Sequence, residues 1–169
     1  MTERDIQFRL VYELKPFIAA PNIMMYGCYE SDLLAITGKS MFAHEYEIKL
    51  SKSDFLADFK KCDQKFTGVF DIVPSHYGGT TERPVFVTKT KHQELLEGEL
   101  ANQFTYCFPE GLIDHALVPE WAGIVEVIQF ENKITLNLVR NAKMLHKNKM
   151  TDRQIIQMAR SLSLREFKI

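Results

Sequence analysis

Cysteine, long apolar runs and net charge are all scarce in this chain. Its three cysteines, Cys28, Cys62 and Cys107, are odd in number, widely spaced and never part of a CxxC pair, which argues against a disulfide framework or a structural zinc site. We expect all three to be small buried residues. No apolar run approaches the roughly 20 residues of a membrane span, and the N-terminus MTERDIQFRL is charged where a signal peptide needs an apolar core. These absences predict an unexported, cytoplasmic protein with no membrane partner.

The net charge of −1 gives no reason to expect a polyanionic partner, but its distribution does. Residues 133–169 carry nine Lys or Arg and two acids, a local charge of +7, so that the rest of the chain sums to −8. Clustered cations favour contact with phosphates, although a solvated basic helix face has the same composition. With 169 residues, of which 46% are hydrophobic, the chain suits a single domain over residues 1–169.

Apolar periodicity predicts an ordered series of helices and strands. The first predicted elements are a helix at 3–15, two strands within 22–30 and 31–38 or one long bent strand over both, and a strand within 41–50. A helix from Ser51 or Ser53 follows, with the buried stripe Phe55, Phe59, Cys62 and Phe66. The later elements are two hairpin strands within 68–90, a helix at 91–100, strands at 103–108, 124–130 and 134–139, and a final helix from Thr151. This order predicts a mixed α/β or α+β fold: a central sheet flanked by helices over about residues 1–130, a hairpin insertion at 68–90, and a basic C-terminal strand and helix at 133–169.

The strand at 41–50 concentrates charge on one face, because Glu45, Glu47 and Lys49 alternate with apolar residues. Glu47 and Lys49 are two residues apart, which places their Cα atoms roughly 6.5 Å apart on that face. Asp32 lies beside Glu47 if this strand pairs with the one before it. Two converging carboxylates suit Mg²⁺, and an adjacent lysine can hold a water or stabilise charge on phosphorus. The residue types therefore suit phosphodiester hydrolysis.

The same alternation has an ordinary structural explanation. A solvated face of an antiparallel sheet is expected to carry Glu and Lys at this spacing. The E-x-K pattern alone does not separate a catalytic strand from a polar one.

The wider pattern resembles the PD-(D/E)XK nuclease superfamily, particularly its small MmcB-like and phage-encoded, restriction-endonuclease-like members. The resemblance begins with ESDLLAITG and EYEIKLSKSDFLADFKK, which match D-x-x-A-I, a turn, E-[IV]-K and a serine-containing link to DF-x-x-D-x-K. It continues through KTKHQELLEG, FTYCFPEGLI and VPEWAGIVEV. It covers about residues 28–130, with 68–90 as an insertion, and Ser31 stands where the superfamily name has proline.

The resemblance implies a restriction-endonuclease-like core and a set of site residues. Asp32 and Glu47 would be metal ligands, with the carbonyl of Ile48 as a third, and Lys49 would activate water. The implied cofactor is Mg²⁺, with Mn²⁺ able to substitute. Relatives often add a glutamate from the first helix, and the residues leave Glu3, Glu13 and Glu30 as alternatives for that acid.

Further residues are candidates for binding nucleic acid. The resemblance implies that a set of residues either supports the site or contacts the phosphate backbone: Asp54, Lys60, Lys61, Lys89, Lys91 and His92. The Lys60–Lys65 face and, by charge, Lys143, Lys147 and Lys149 are further candidates for holding the backbone. His76 and Tyr77, in the hairpin loop, are either exposed turn residues or groups that enter a groove or stack on a base.

These observations predict a Mg²⁺-dependent nuclease that acts on DNA rather than RNA, in repair, recombination or phage DNA processing. A homodimer is an expected route to cutting both strands. Two alternatives stay open: a non-catalytic nucleic-acid-binding domain of the same fold, and an interaction protein whose basic segment meets an acidic protein surface.

Overall fold

The computed structural model describes residues 1–26, 29–131 and 133–166, so Cys28 and Lys168 lie outside the described residues. Within these ranges the helices are α1 (Glu3–Leu14), α2 (Lys52–Asp58), α3 (Lys91–Glu97) and α4 (Asp152–Glu166). The strands are β1 (Ile18–Ile23), β2 (Ser31–Thr37), β3 (Phe42–Ile48), β4 (Cys62–Pro74), β5 (Thr80–Thr90), β6 (Gln103–Pro109), β7 (Gly123–Phe130) and β8 (Lys133–Arg140). None of the described helices is both long and apolar enough to cross a bilayer.

Six strands form one mixed sheet in the order β1-β2-β3-β6-β7-β8. The β1–β2, β2–β3 and β7–β8 pairs are antiparallel, whereas β3–β6 and β6–β7 are parallel. Strands β4 and β5 pair with each other as a separate two-stranded sheet. The predicted α+β fold, with a mixed central sheet flanked by helices and a hairpin insertion, is confirmed.

The two sheet faces bury different side chains, because neighbouring residues of a strand point to opposite faces. On one face, Ile6 and Leu10 of α1 pack against Leu33, Tyr46 and other apolar residues of β2, β3, β6 and β7. On the opposite face, Phe55 of α2, Leu95 of α3 and Met158 of α4 share a larger core with the sheet. The helices α2 and α3 therefore cover the face that carries Glu45, Glu47 and Lys49.

Three sequence predictions about elements are wrong. Strand β1 spans Ile18–Ile23 rather than part of 22–30, and its Pro21 is tolerated because β1 is an edge strand. Helix α2 ends at Asp58, so the stripe that was to continue through Cys62 and Phe66 does not exist. Those residues belong to β4, where Cys62 pairs with Thr90, and the insertion therefore begins at 62 rather than 68. Cross-strand pairing overrides the local helical pattern here.

The two described cysteines differ from each other. Cys107 is buried in the sheet, as expected, and burial raises the pKa of its thiol. Cys62 is exposed at the base of the hairpin, so the prediction that it is a buried apolar residue is wrong.

Candidate active site

Asp32 and Glu47 lie opposite each other at the open end of the β2–β3 pair. The register pairs Leu33 with Tyr46, so the next residues outward are Asp32 and Glu47, on one face of the sheet. Asp32 Oδ2 accepts a hydrogen bond from the Ile48 backbone nitrogen at 2.6 Å. The two acids therefore meet on one face, as their spacing predicts.

The charged face of β3 is buried, not solvated. Glu45, Glu47 and Lys49 are between 1% and 2% exposed. Because unpaired charges are costly away from water, such residues require counter-ions. An ordinary polar strand face does not account for this arrangement.

These residues and their counter-ions form a cluster of three acids and three lysines, buried except for Lys61, which we call the buried ion cluster. Glu47 is its centre: Oε1 accepts from Lys49 at 2.8 Å and from Lys61 at 2.7 Å, and Oε2 accepts from Lys91 at 2.7 Å. Lys91 also lies 2.8 Å from Glu45. The sixth member is Asp58, and the complete buried ion cluster is Glu45, Glu47, Asp58, Lys49, Lys61 and Lys91.

Asp58 ties Lys49 to helix α2. Its Oδ1 lies 3.1 Å from the Lys49 nitrogen and 2.8 Å from that of Lys61, while its Oδ2 accepts from the Tyr106 hydroxyl at 2.7 Å. Burial alone would raise the pKa of Asp58, but its contact with His92 and the nearby lysines hold that pKa well below its usual range. Asp58 is thus an ionised anchor for Lys49.

The sequence did not reveal the role of Asp58, which is part of the DF-x-x-D-x-K match but received no function there. One signal was available: Asp58 follows the buried Phe55 by three residues, and that spacing puts both on one side of a helix. Glu45 was likewise unassigned, although it shares a strand face with Glu47. Burial raises the pKa of Glu45, and the ammonium group of Lys91 opposes this effect.

A second group of acids borders the buried ion cluster. We call Glu3, Glu30 and Asp32 the acidic rim. Asp32 and Glu30 line one cavity of about 380 Å³ together with Tyr29, Lys61 and Cys62. Glu3 reaches this region from α1, where Gln7 donates both to Glu3 Oε1 and to the backbone carbonyl of Asp32, each at 2.8 Å.

Burial and nearby carboxylates raise the pKa of two acids of this rim, Asp32 and Glu3. Burial, followed by the neighbouring Glu47 carboxylate, raises the pKa of Asp32 to about 7. Partial burial, followed by Glu30 and Glu47, raises the pKa of Glu3. The acidic rim adds three carboxyl groups to a buried ion cluster that already pairs three acids with three lysines, so a cation bound at the rim would relieve the crowding of carboxylates around Asp32.

Position reduces the three alternatives for an additional acid to two, Glu3 and Glu30. Glu3 and Glu30 stand at the acidic rim, whereas Glu13 does not: it pairs with Arg9 at 2.7 Å and lines a cavity on the opposite sheet face. The expectation that Glu13 supports this site is therefore wrong, because Glu13 lies almost three helical turns beyond Glu3.

The predicted nucleic-acid contacts fall into two groups. Lys60, Lys143, Lys147 and Lys149 are exposed, as is Asp54, whose Oδ1 is 3.7 Å from Lys49. The second group is engaged inside the protein. Lys91 is fully buried, so of its two expected roles the contact with a phosphate backbone is wrong: Lys91 is a counter-ion of Glu45 and Glu47 within the site.

Four other candidates are partly engaged. Lys61 keeps 38% of its side chain exposed beside Glu47. Burial would lower the pKa of Lys61, but Glu47 and Asp58 outweigh this effect and raise it. Lys65 lies 2.9 Å from Glu94, and Lys89 contacts Glu97 and Glu99. His92 is largely covered and lies 2.8 Å from the Tyr106 hydroxyl, so its role as an exposed phosphate contact is also wrong.

The donor set fits Mg²⁺. Within the described ranges, no three or more His, Cys, Asp or Glu side chains form a group arranged to hold a metal. Mg²⁺ usually takes only one or two protein carboxylates and completes its shell with water and phosphate oxygens. Asp32 and Glu47 supply two. The backbone N–H of Lys49 donates to the Cys107 carbonyl of β6. The Ile48 carbonyl belongs to the same peptide group and points the opposite way, toward the strand that carries Asp32.

Comparisons with known proteins bear on the fold alone. No family model matches the chain, and no curated protein matches it. Among solved structures, it is similar to one described as the SPO1766 protein of unknown function from Silicibacter pomeroyi, with a TM-score of 0.56 and 14% sequence identity. The similarity covers 98% of this chain and 83% of that chain.

Proposed function

We propose that this protein is a divalent-metal-dependent nuclease of the restriction-endonuclease-like type that hydrolyses phosphodiester bonds in DNA in the cytoplasm. One observation carries the proposal: Asp32 and Glu47 converge on one sheet face, with the Lys49 ammonium 2.8 Å from Glu47. The sequence resemblance assigned these three residues to catalysis, and two of them, Glu47 and Lys49, are buried.

Asp32, Glu47 and the carbonyl of Ile48 would hold a Mg²⁺ or Mn²⁺ ion at the acidic rim. A bound divalent ion polarises a phosphate and lowers the pKa of a water ligand. The carboxylate charge that crowds Asp32 is the charge such an ion would neutralise. Glu3 stands close enough to add its charge from α1.

Lys49 would orient the attacking water and stabilise charge on the phosphate. Its ammonium group is held between Glu47 and Asp58, at 2.8 and 3.1 Å, so it is positioned before substrate arrives. Fixed positioning of this kind is a principal source of catalytic rate. Lys60 and the exposed lysines at 143, 147 and 149 would hold the phosphate backbone.

The test is cleavage of a panel of labelled single-stranded, duplex and flapped DNA, with RNA for comparison, in Mg²⁺, Mn²⁺ or EDTA. We expect metal-dependent cleavage of DNA, which Asp32→Asn abolishes. Asp71→Asn, in the hairpin, is the matched control and should cleave normally. Metal-independent cleavage, or cleavage that survives Asp32→Asn, would contradict the proposal.

A non-catalytic nucleic-acid-binding domain is the second candidate. The observation that favours it is that both carboxylate oxygens of Glu47 already accept hydrogen bonds from lysines. This alternative predicts that DNA binding is unaffected by EDTA and by Asp32→Asn, and that no substrate on the panel is cut.

A further inference from the structure

The β4–β5 hairpin is paired only with itself among the described strands. It is long, with 13 residues in β4 and 11 in β5. An isolated two-stranded ribbon is marginally stable in water unless one of its faces is covered. The side chains on its faces therefore indicate what it is built to contact.

One face of the hairpin is aromatic. Phe66 pairs with Phe86 across the strands, and Phe70 pairs with Pro84. Opposite residues share a face, and the rings confirm it: the Phe66 centroid is 5.2 Å from that of Phe70 and 5.9 Å from that of Phe86. Ile72 continues the same alternation. We call Phe66, Phe70, Ile72, Pro84 and Phe86 the aromatic face.

A β-bulge keeps these rings together. Between Phe66 and Phe70 the chain of β4 advances four residues while β5 advances two, and Gly68 takes a φ of 78° in the extra turn of backbone. Phe86 and Pro84 are two residues apart and so share a face of β5, and their partners Phe66 and Phe70 therefore lie on that same face. Although they touch one another, the three phenylalanine rings remain 48–51% exposed.

The aromatic face does not carry the charge that phosphates require. Residues 62–90 contain three acids and three Lys or Arg, so the hairpin is neutral. Glu82, opposite Ile72, is the charged residue that alternation places on the aromatic face. Lys65 and Lys89 belong to the other face and contact acids of α3 and the residues after it. Flat apolar groups, rather than a sugar-phosphate backbone, suit the aromatic face.

The aromatic face continues from the cavity of the candidate active site. Cys62, the first residue of β4, lines that cavity beside Asp32 and Lys61. Cys62, Gln64 and Phe66 alternate along β4 and so point to one side of the ribbon. Phe66 lies roughly 13 Å along the strand from Cys62, about four nucleotides at the stacked spacing of 3.4 Å.

A second copy of the chain is a weaker candidate for the occupant. A phenylalanine has roughly 150–250 Å² of surface, so the exposed parts of the three rings and Ile72 amount to about 400 Å². A stable protein interface needs about 800 Å² from each partner. The aromatic face alone is too small to hold a dimer, whereas unpaired bases stack on single aromatic rings.

We propose that the aromatic face stacks against unpaired bases of the DNA strand that enters the cavity, so that the substrate class is DNA with a single-stranded segment. The inference rests on the proposed nuclease function for the identity of the ligand, but stacking itself is measured by binding. The neutral face contributes recognition of bases, and the exposed lysines elsewhere contribute recognition of phosphates.

The experiment compares two probes that differ only in their bases. One is a fluorescein-labelled oligothymidylate of about 20 nucleotides, and the other has the same length with every base replaced by an abasic site. Binding is followed by fluorescence anisotropy in EDTA, which prevents metal-dependent cleavage. We expect the wild-type protein to prefer the oligothymidylate by about tenfold or more, because each base-aromatic stack contributes a factor of roughly five or more.

The variant Phe66→Leu/Phe86→Leu keeps apolar bulk but removes the rings. We expect it to bind the two probes within about twofold of each other, with its affinity for the abasic probe unchanged. Phe8→Leu, on exposed α1, is the matched control and should keep the preference. Equal thermal unfolding midpoints for the variants and the wild type will show that the hairpin still folds.

The outcomes separate this inference from the proposed function. A base preference without metal-dependent cleavage supports stacking and refutes the nuclease. Cleavage without a base preference refutes stacking and leaves the nuclease standing. Sedimentation velocity gives the remaining outcome: a wild-type dimer that dissociates in Phe66→Ala/Phe86→Ala would overturn the inference by assigning the aromatic face to a second copy.

Discussion

The side chain of Asp32 accepts a hydrogen bond from the backbone nitrogen of Ile48, with 2.6 Å between the nitrogen and Oδ2. The bond joins the start of β2 to the end of β3 through a carboxylate instead of a backbone carbonyl. It holds this carboxylate beside Glu47, at the point where the resemblance to PD-(D/E)XK nucleases places a metal. The predictions below test what these neighbours do.

Replacing Asp32 with asparagine should stabilise the metal-free protein at pH 8. The pKa of Asp32 lies near 7 in the folded protein, above its ordinary value of 3.8. The folded state therefore disfavours the ionised group, and the stability present below pH 4 is lost as the pH rises through 7. We expect Asp32→Asn to unfold at a higher urea concentration than the wild type at pH 8, with a free energy of unfolding that is higher by roughly 1–3 kcal/mol. Mg²⁺ should raise the unfolding temperature of the wild type and not that of the variant.

Replacing Lys49 with glutamine should remove cleavage while the fold survives. Lys61 contacts both Glu47 and Asp58, so these acids keep a counter-ion when Lys49 is lost. We expect a fall of about 10²- to 10⁴-fold in single-turnover cleavage rate. Lys39→Gln, at an exposed position, is the control. A Lys49→Gln enzyme with near-normal rate would remove Lys49 from the mechanism.

Lys91 and Lys60 should respond in opposite ways to replacement by methionine. Lys91→Met leaves Glu45 and Glu47 without their shared ammonium group, and we expect a loss of about 3–5 kcal/mol in the free energy of unfolding. Lys60→Met removes an exposed cation and should change stability by less than about 0.5 kcal/mol while weakening DNA binding. Urea unfolding and DNA binding, measured on both variants, decide whether Lys91 is structural.

His44 should contribute to acid unfolding. Burial lowers the pKa of His44 from 6.5 to about 4, and its ring nitrogens contact Thr105 Oγ1 at 2.7 Å and the Tyr46 hydroxyl at 3.1 Å. A neutral buried histidine gives stability that is present above pH 6.5 and is lost as the pH falls through 4. Glu13, which lines the same cavity, pairs with Arg9. We expect His44→Gln to reduce the stability lost between pH 7 and 4 by roughly 2–3 kcal/mol. An unchanged pH profile of unfolding would assign acid unfolding to other groups.

The exposed lysines after β8 should set the salt dependence of DNA binding. Replacing Lys143, Lys147 and Lys149 together with glutamine should reduce the slope of log affinity against log salt by roughly 2–3, if all three meet phosphates. Lys15→Gln/Lys39→Gln is the control, with two exposed lysines removed elsewhere. A slope that is the same in both variants would place the DNA on another surface.

The residues that the sequence located are those whose position depends on local periodicity. Alternation along 41–50 put Glu47 and Lys49 on one face, and antiparallel pairing with the preceding strand brought Asp32 opposite. The convergence of Lys61 and Lys91 on Glu47 could not be read in the same way. Lys61 follows α2 and Lys91 begins α3, so their meeting depends on how α2 and α3 pack on the sheet.

The hairpin shows the opposite limit of local patterns. Apolar residues at 55, 59, 62 and 66 fit a helix, yet pairing of Cys62 with Thr90 and of Phe66 with Phe86 makes the second half a strand. The predicted hairpin was correct in kind and too short by six residues. The residues that pair with Cys62 and Phe66 lie 28 and 20 residues further along the chain, beyond the range of a helical period.

Because Cys62 pairs with Thr90, the chain enters and leaves the hairpin at neighbouring positions. Opposite residues in an antiparallel pair have Cα atoms only about 4.5–5.5 Å apart, so the ends of the remaining protein would meet if the ribbon were cut away. The hairpin can therefore be replaced by a tight turn, or exchanged for a hairpin of another length, with the same two chain ends. All six members of the buried ion cluster lie outside residues 62–90 and would be retained.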